Sequence, residues 1–475
     1  MMDNETFRRQ AHQLVDWMAD YLKNIEQLPV KSQSKPYEVF RRLPDLPPGQ
    51  ADDFEGIMED FREIILPGMT HWQHPKFFAY FPANSSYASV LGEMLTATLG
   101  AQCMIWETSP AAAELEEKMM NWLREMLDLP RDWDGVIQDT ASAATLSAIL
   151  SAREKATNFS ANHRGFPQGR YRIYCSSQTH SSIDKAVRIA GLGSDNLVKV
   201  GVDDTLAMNP AALSRAIEAD MAAGLHPLCV IATLGTTGTT AIDPLEEIGR
   251  ICTRHKVWLH VDAAYAGTAL ILPEYRHMAR GMERVDSFVF NPHKWMFTNF
   301  DCSAYFVRDK ETLIRTFEIL PEYLKTATRG AVNDYRDWGV ALGRRFRALK
   351  LWFVIRDFGV EGLRKRLREH IRLAHNLAKE IEAADDFEIM APGPFNALFF
   401  RWHPREITET DRLNALNAAL LGELNDSGKL YLTHTKINDQ YIIRMVIGQT
   451  YVQERHVQQA WEIIRQTANS LRERL

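Results

Sequence analysis

The chain has 475 residues, 45% hydrophobic and 24% charged, with a formal net charge of -6. That length supports a sizeable core, and the composition excludes a disordered or collagen-like chain. The acidic balance argues against a surface built for nucleic acid or anionic lipid, because neutralising phosphates requires a basic face. Cys103, Cys175, Cys229, Cys252 and Cys302 are scattered and form no CxxC pair. They predict neither a disulfide framework nor a thiolate zinc site, and they fit a reducing, cytoplasmic compartment. No export and no membrane span are expected, since the first residues are polar and no apolar stretch has the length of a bilayer.

In chain order, residues 6–25 carry an apolar stripe at Phe7, Leu14, Val15, Met18, Tyr21, Leu22 and Ile25, which predicts an amphipathic helix. Pro29, Pro36, Pro44, Pro47 and Pro48 then break the chain, so the helix reads as an arm reaching over another body. Beyond about residue 88, short apolar runs at 135–138, 171–176, 228–234, 257–261 and 287–290 alternate with helical segments at 110–127, 141–156 and 244–255. This alternation predicts an α/β body: a mainly parallel sheet sandwiched by helices, with ligand groups where strands end. A helical stretch at 344–357 leads to a region with strand-like runs at 397–401 and 441–446. The expected division is an N-terminal arm and dimerisation segment over 1–85, a large α/β domain over 86–350 and a small α+β domain over 351–475. No internal repeat or low-complexity segment interrupts it.

The sharpest local feature is Asn291-Pro292-His293-Lys294-Trp295, directly after the apolar run 287–290. Lysine is ordinarily a solvated surface charge, and a strand end between histidine and tryptophan is an unusual place for one. In Trp258-Leu259-His260-Val261-Asp262-Ala263-Ala264, an acid closes an apolar strand. Asp262 reads either as the N-cap of a following helix or as a buried carboxylate partnered by a cation, which a protonated pyridine nitrogen would supply. Gly135 to Thr145 reads as strand, small polar turn and helix, a ready phosphate cradle or a plain capped helix. Thr179-His180-Ser181-Ser182 places an imidazole after the run 171–176, where a ring stacks on an aromatic cofactor or serves structure.

Other chemistries fail on spacing. Thr233-Leu234-Gly235-Thr236-Thr237-Gly238 lacks the glycine–lysine arrangement of a P-loop, and no GxGxxG or GxSxG is present. His71 and His74 have no nearby carboxylate pattern, so no metal site is expected. The basic run 343–350 reads either as a solvated helix face or as an anion-holding surface at a subunit interface.

Together these motifs resemble the aromatic L-amino acid decarboxylase family, among the group II decarboxylases that use pyridoxal 5′-phosphate (PLP). The resemblance runs over nearly the whole chain and includes Phe77-Phe78-Ala79-Tyr80-Phe81-Pro82, Asp334-Tyr335-Arg336-Asp337-Trp338 and Leu342-Gly343-Arg344-Arg345-Phe346-Arg347. It implies the fold type I, aspartate-aminotransferase-like architecture, with a swapped N-terminal arm and a homodimer that shares its active sites. It implies that Lys294 carries PLP as a Schiff base, that Asp262 pairs with the pyridine nitrogen and that His180 stacks on the ring. Ala141, Ser142, Asn291 and His293 look like the phosphate site, with Thr237 and Ala264 lining the cofactor.

By the same resemblance, Tyr323 sits on a catalytic loop as proton donor. Relatives that release an aldehyde commonly carry Phe at that position or Asn at the stacking histidine, so Tyr323 and His180 favour the amine. Trp72, Tyr80, Phe81, Gln102 and Met104 resemble the aromatic side-chain pocket, and Gly343 resembles the small residue that leaves room for indoles. Tryptophan, 5-hydroxytryptophan, tyrosine, phenylalanine and dopa are the candidate substrates. Ala83 stands where animal members have a threonine hydroxyl near the catechol, a contact worth about 0.5 to 1.5 kcal/mol, which disfavours dopa.

Overall fold

Strands buried on both faces read as continuous apolar runs, and such runs build the central sheet in this computed structural model, which describes residues 2–166, 170–319 and 330–474. The seven strands are β1 (Asp134–Gln138), β2 (Tyr171–Ser176), β3 (Leu197–Val200), β4 (His226–Thr233), β5 (Trp258–Asp262), β6 (Ser287–Phe290) and β7 (Ser303–Val307), in the order β1-β7-β6-β5-β4-β2-β3. β7 is antiparallel to both its neighbours, β1 and β6, while the β6–β5, β5–β4, β4–β2 and β2–β3 pairs are parallel. Parallel pairing needs a crossover: helices Ser182–Ile189, Pro210–Ala222 and Leu245–His255 carry the chain from β2 through β3 and β4 to β5, the 3-10 turns Ala266–Ile271, Pro273–Ala279 and Met282–Arg284 carry it from β5 to β6, and helix Ala141–Ala156 joins β1 to β2. Between β6 and β7 the chain makes only the short helix Pro292–Trp295 and a loop, so β7 returns antiparallel. The mainly parallel sheet of fold type I is therefore present, and its parallel strands end on one side.

The crossover helices begin where their sequences provide caps. Thr140 accepts the Ala143 N–H at 3.3 Å to open Ala141–Ala156, and Asn209 accepts the Ala212 N–H at 3.0 Å to open Pro210–Ala222. The long helix Arg347–Glu382 is broken at Gly359, whose φ of 62° is a left-handed conformation that glycine adopts without steric cost.

The chain divides into two compact units. One comprises Ala83–Arg372 with Ala391–Ala397 and contains the seven-stranded sheet; the other comprises Met1–Pro82, Leu373–Met390 and Leu398–Leu475. The second unit holds β8 (Phe387–Ile389), β9 (Ala397–Trp402), β10 (Thr433–Ile437) and β11 (Gln440–Val446) in the order β10-β11-β9-β8. Helices Thr410–Asp426 and Glu454–Arg472 pack on it through Leu420, Leu424, Trp461 and Ile464. Residues 76–78 are stitched to the same unit: Phe78 N–H donates to Tyr431 O at 3.0 Å, and Val446 N–H donates to Phe78 O at 2.9 Å. The leading helix, Asn4–Asn24, is capped by Asp3 and buries none of its residues fully.

The basic run resolves into ion pairs within the large unit. Arg347 holds Asp301 through two hydrogen bonds of 3.1 and 3.0 Å, Lys350 lies 3.0 Å from Glu93, and Arg345 also meets Glu93. Arg344 does more. Among the described residues β1 pairs only with β7, so its outer edge has no strand partner there. There Glu116 Oε1 accepts the Ile137 N–H at 2.8 Å, and Arg344 Nη2 donates to Ile137 O at 2.7 Å and to Glu116 Oε1 at 2.6 Å. A buried ion pair thus replaces the missing strand. Arg344→Met strands both the carboxylate and the carbonyl, and the expected cost is about 3–5 kcal/mol, read as a lower urea midpoint with an unchanged slope.

Candidate active site

The site grows from three neighbouring strand ends. On β4, β5 and β6, Thr233, Asp262 and Val289 stand side by side. Asp262 is 7% exposed, and its Oδ1 accepts the Ala264 N–H at 3.0 Å. This local turn is the cap-like contact the sequence suggests, and it leaves the carboxylate with capacity for a cationic partner.

One residue beyond β6, Asn291 opens the short helix Pro292–Trp295. His293 and Trp295 are buried while Lys294 between them is partly exposed. Three contacts fix this turn: Lys294 N–H donates to Asn291 O at 2.9 Å, and Asn84 reaches His293 O through its N–H at 3.0 Å and Lys294 O through Nδ2 at 2.5 Å. Burial, with the Lys294 charge adding to it, pushes the His293 imidazole down to about 3. Its Nδ1 accepts the Cys302 N–H at 2.8 Å, so the proton of the neutral ring sits on Nε2.

After β2, His180 is solvent-accessible. Its Nδ1 accepts the Ser182 N–H at 3.1 Å and lies 2.9 Å from Ser182 Oγ, which assigns its own proton to Nε2. Its pKa lies below the ordinary value because the ring is partly desolvated; the Asp262 charge opposes that shift and the Lys294 charge reinforces it. Imidazole, carboxylate and amine therefore share one electrostatic neighbourhood.

Around them, Ala141 and Ser142 form the first turn of Ala141–Ala156, with Ser142 exposed. Thr237 is exposed on the loop after β4, where Gly235 adopts φ +83° and a Cβ would come within 2.5 Å of Ala266. Ala264 O accepts the Asn291 N–H at 3.0 Å, tying the β5 and β6 exits together.

The expected aromatic-pocket residues fall into two groups, one in each unit. In the large unit, Gln102 Oε1 accepts the Arg344 N–H at 2.6 Å, and a Cβ on Gly343 would approach Gln102 Nε2 at 3.3 Å. Met104 O accepts the Arg336 N–H at 2.9 Å. In the other unit, Trp72 lies 5.9 Å from Tyr80 in a stacked arrangement, Tyr80 Oη meets Tyr431 Oη at 3.1 Å, and the Arg444 guanidinium sits 4.5 Å over Phe81. Tyr323 lies outside the described residues.

Sequence reasoning missed Asn84, Tyr431, Arg444 and His260. Only an asparagine before a helix start marks Asn84, and nothing local marks the others, because each acts through a partner distant in the chain. Asp243 was missed as well: fully buried, it accepts the Met208 and Thr233 N–H groups at 2.7 and 2.8 Å, and burial lifts its carboxyl to about 6.

The donor set fits a pyridoxal phosphate: an amine, a carboxylate for the ring nitrogen, a flat neutral imidazole and a helix N-terminus for the phosphate. Asn291 adds a buried amide whose Oδ1 has no hydrogen-bond partner among the described residues. Such groups at the strand ends of an open, mainly parallel sheet define a pyridoxal-phosphate enzyme. Residues 36–403 match the pyridoxal-dependent decarboxylase conserved domain, and the chain belongs to that family. Tyrosine decarboxylase 2 of Narcissus pseudonarcissus is 43% identical, with 99% of this chain and 95% of the relative covered. Phenylacetaldehyde synthase of Arabidopsis thaliana is 42% identical, with 99% and 97% covered. The crystal structure of Oryza sativa TDC with PLP and tryptamine is similar at a TM-score of 0.96 and 36% identity, with 99% of each chain covered.

Two outcomes follow. Nitrogen NMR of histidine-labelled protein will show His180 protonated at Nε2 only, with a titration midpoint below ~6.5. His260 and His293, both held near 3 by burial, bind fewer protons folded than unfolded. Stability is thus full above ~6.5 and falls as pH drops from there toward 3, by about 2 kcal/mol per histidine at pH 5. Urea unfolding between pH 7 and 5 measures this, and His260→Gln flattens the slope by one histidine's share.

Proposed function

We propose that this chain removes the carboxylate of aromatic L-amino acids, giving the amine and CO₂. The observation that carries the reading is that His180, after β2, shares an electrostatic neighbourhood with Asp262 at the end of β5 and Lys294 after β6. Pyridoxal phosphate, when bound, supplies an electron sink for the charge left at Cα when the carboxylate departs. Lys294 is the amine that would hold the cofactor covalently. Asp262 would pair with the ring nitrogen, and the neutral His180 ring would stack on the cofactor and exclude water from that face. Ala141, Ser142, Asn291 and His293 hold the phosphate, with Thr237 and Ala264 beside the ring. Tyr323 returns a proton to Cα.

Trp72, Tyr80, Phe81, Gln102, Met104 and Gly343 are the proposed aromatic pocket. The relatives support this substrate class, since their names carry tyrosine and phenylacetaldehyde and the rice structure holds tryptamine. A homodimer with shared active sites belongs to the proposal, as does the division into residues 1–85, 86–350 and 351–475. Tyr87, Leu91, Leu95 and Leu99 line one side of helix Tyr87–Leu99 and are 46–62% exposed, an apolar stripe of the kind subunit contacts cover. A reducing, cytoplasmic setting agrees with five free, buried cysteines. No helix among the described residues is long and apolar enough to cross a membrane.

The similarity to phenylacetaldehyde synthase supports a second reading, oxidative release of the aldehyde with peroxide. Tyr323 and His180 favour the amine. Incubation of the PLP-loaded protein with tryptophan, 5-hydroxytryptophan, tyrosine, phenylalanine, dopa, histidine and glutamate decides between them by mass detection. Stoichiometric amine and CO₂ from aromatic substrates are expected, with none from Lys294→Ala. Asp262→Asn should lower turnover about 10²- to 10³-fold, the scale of losing one preorganised electrostatic partner. Aldehyde with peroxide would move the assignment to the synthase reading, and turnover of glutamate or histidine alone would overturn the aromatic pocket.

A further inference from the structure

His260 precedes Asp262 by two residues on β5, so the two side chains leave the same face of the sheet. It is fully buried, and both ring nitrogens are engaged: Nε2 lies 3.1 Å from Thr145 Oγ1 and Nδ1 lies 2.9 Å from Ser287 Oγ. Ser287 opens β6, the strand that leads to Asn291 and Lys294. It also receives the Trp258 indole N–H at 3.0 Å. Thr145 lies one turn into the helix whose first turn carries Ala141 and Ser142. One imidazole thus joins the strand ending in Asp262, the strand feeding Lys294 and the helix whose N-terminus faces the phosphate position.

The C-terminal half of this helix is held by larger side chains, Ile149 with Leu146 and Leu150, in a core that includes Ile173, Ile183 and Val187. Its N-terminal half meets the sheet through Ala141, Ala144 and Ala148, packed with Val136, Val289 and Tyr305. Alanines allow close approach but present no large side chains to interlock, so at this end packing alone fixes the helix less tightly. A directional bond from a rigid ring adds a restraint at this end. Burial holds the ring neutral, so it offers one N–H and one lone pair to two hydroxyls that can each play either role.

We propose that His260 is a positioning residue that locks the phosphate-cradling helix to the strands bearing Asp262 and Lys294, setting the spacing at which the cofactor binds. This rests on the proposed function, in which those three elements hold one PLP molecule. His260 itself touches no reacting atom. Binding sites of this kind require placement to roughly 0.5 Å, and a helix freed by a fraction of that distance weakens the phosphate contacts before the fold is lost.

The test compares wild type with His260→Leu, His260→Gln and Thr145→Val. PLP affinity is measured by dialysis, and the bound phosphate environment by phosphorus NMR. The Lys294-dependent cofactor absorbance and the urea midpoint of the cofactor-free protein are followed in parallel. His260→Leu should weaken PLP binding about 10- to 100-fold, the scale of two hydrogen bonds, and shift the phosphorus resonance. His260→Gln, which can still reach Thr145, should recover most of that affinity. Thr145→Val, a shape-conserving change that guards against a misfolded leucine variant, should weaken PLP binding about 3- to 10-fold and add nothing when combined with His260→Leu.

An unmoved phosphorus signal with wild-type affinity in His260→Leu would overturn the inference, and so would independent, multiplying effects of the two substitutions. Losses of affinity that merely track the urea midpoint across all variants would also overturn it, by reducing His260 to a core residue. Failure of the wild-type protein to take up PLP with a Lys294-dependent absorbance would instead sink the functional reading, so the two failures are distinguishable.

Discussion

A carboxylate taken out of water needs a partner of opposite charge or several donors, and Asp262 at the end of β5 is the group on which the site turns. It receives one backbone N–H, from Ala264. Its remaining capacity faces the neighbourhood it shares with His180 and Lys294. The parallel ladder β4–β5–β6 makes this arrangement possible, because parallel strands end on one side and present successive loops to the same place. The antiparallel β7 then closes the short loop that displays Lys294.

Much of the remaining large unit supplies neutrality and rigidity. His293 and His260 are kept uncharged by burial, each with a defined set of bonds. Asn84 clamps the carbonyls of His293 and Lys294, which leaves the lysine side chain as the exposed element of an otherwise buried turn. The Glu116–Arg344 pair completes the edge of β1, the strand that precedes helix Ala141–Ala156. Charge in this region is spent on backbone satisfaction and intrachain pairing, which is why the basic run at 343–350 needs no anionic macromolecule to account for it.

Legibility in the sequence followed the range of the interaction. Helices Pro110–Leu127 and Ala141–Ala156 and strand Tyr171–Ser176 have the bounds that their apolar periods and caps predict. Asp262 stood out because it closes an apolar strand, and Lys294 and His180 because they lie four residues past the ends of others. The reversal of β7 was not legible, since a short buried strand has the same composition in either direction. Asp243, His260, Tyr431 and Arg444 were also hidden, as their partners lie 10 or more residues away and no local pattern encodes the pairing.

The sequence by itself determined the alternating α/β class, the strand-end placement of the lysine, the carboxylate and the imidazole, and the family resemblance borne by its motifs. These are properties of neighbouring residues, and short-range periodicity and turn chemistry are enough to set them. Tertiary structure alone decided the strand order, the direction of β7, the tautomers of His180 and His293 and the bonding of His260, on β5, to β6 and to helix Ala141–Ala156. Those depend on which groups meet when distant segments pack and water is excluded, and a hydrogen bond between residues 115 positions apart leaves no trace until the chain has folded.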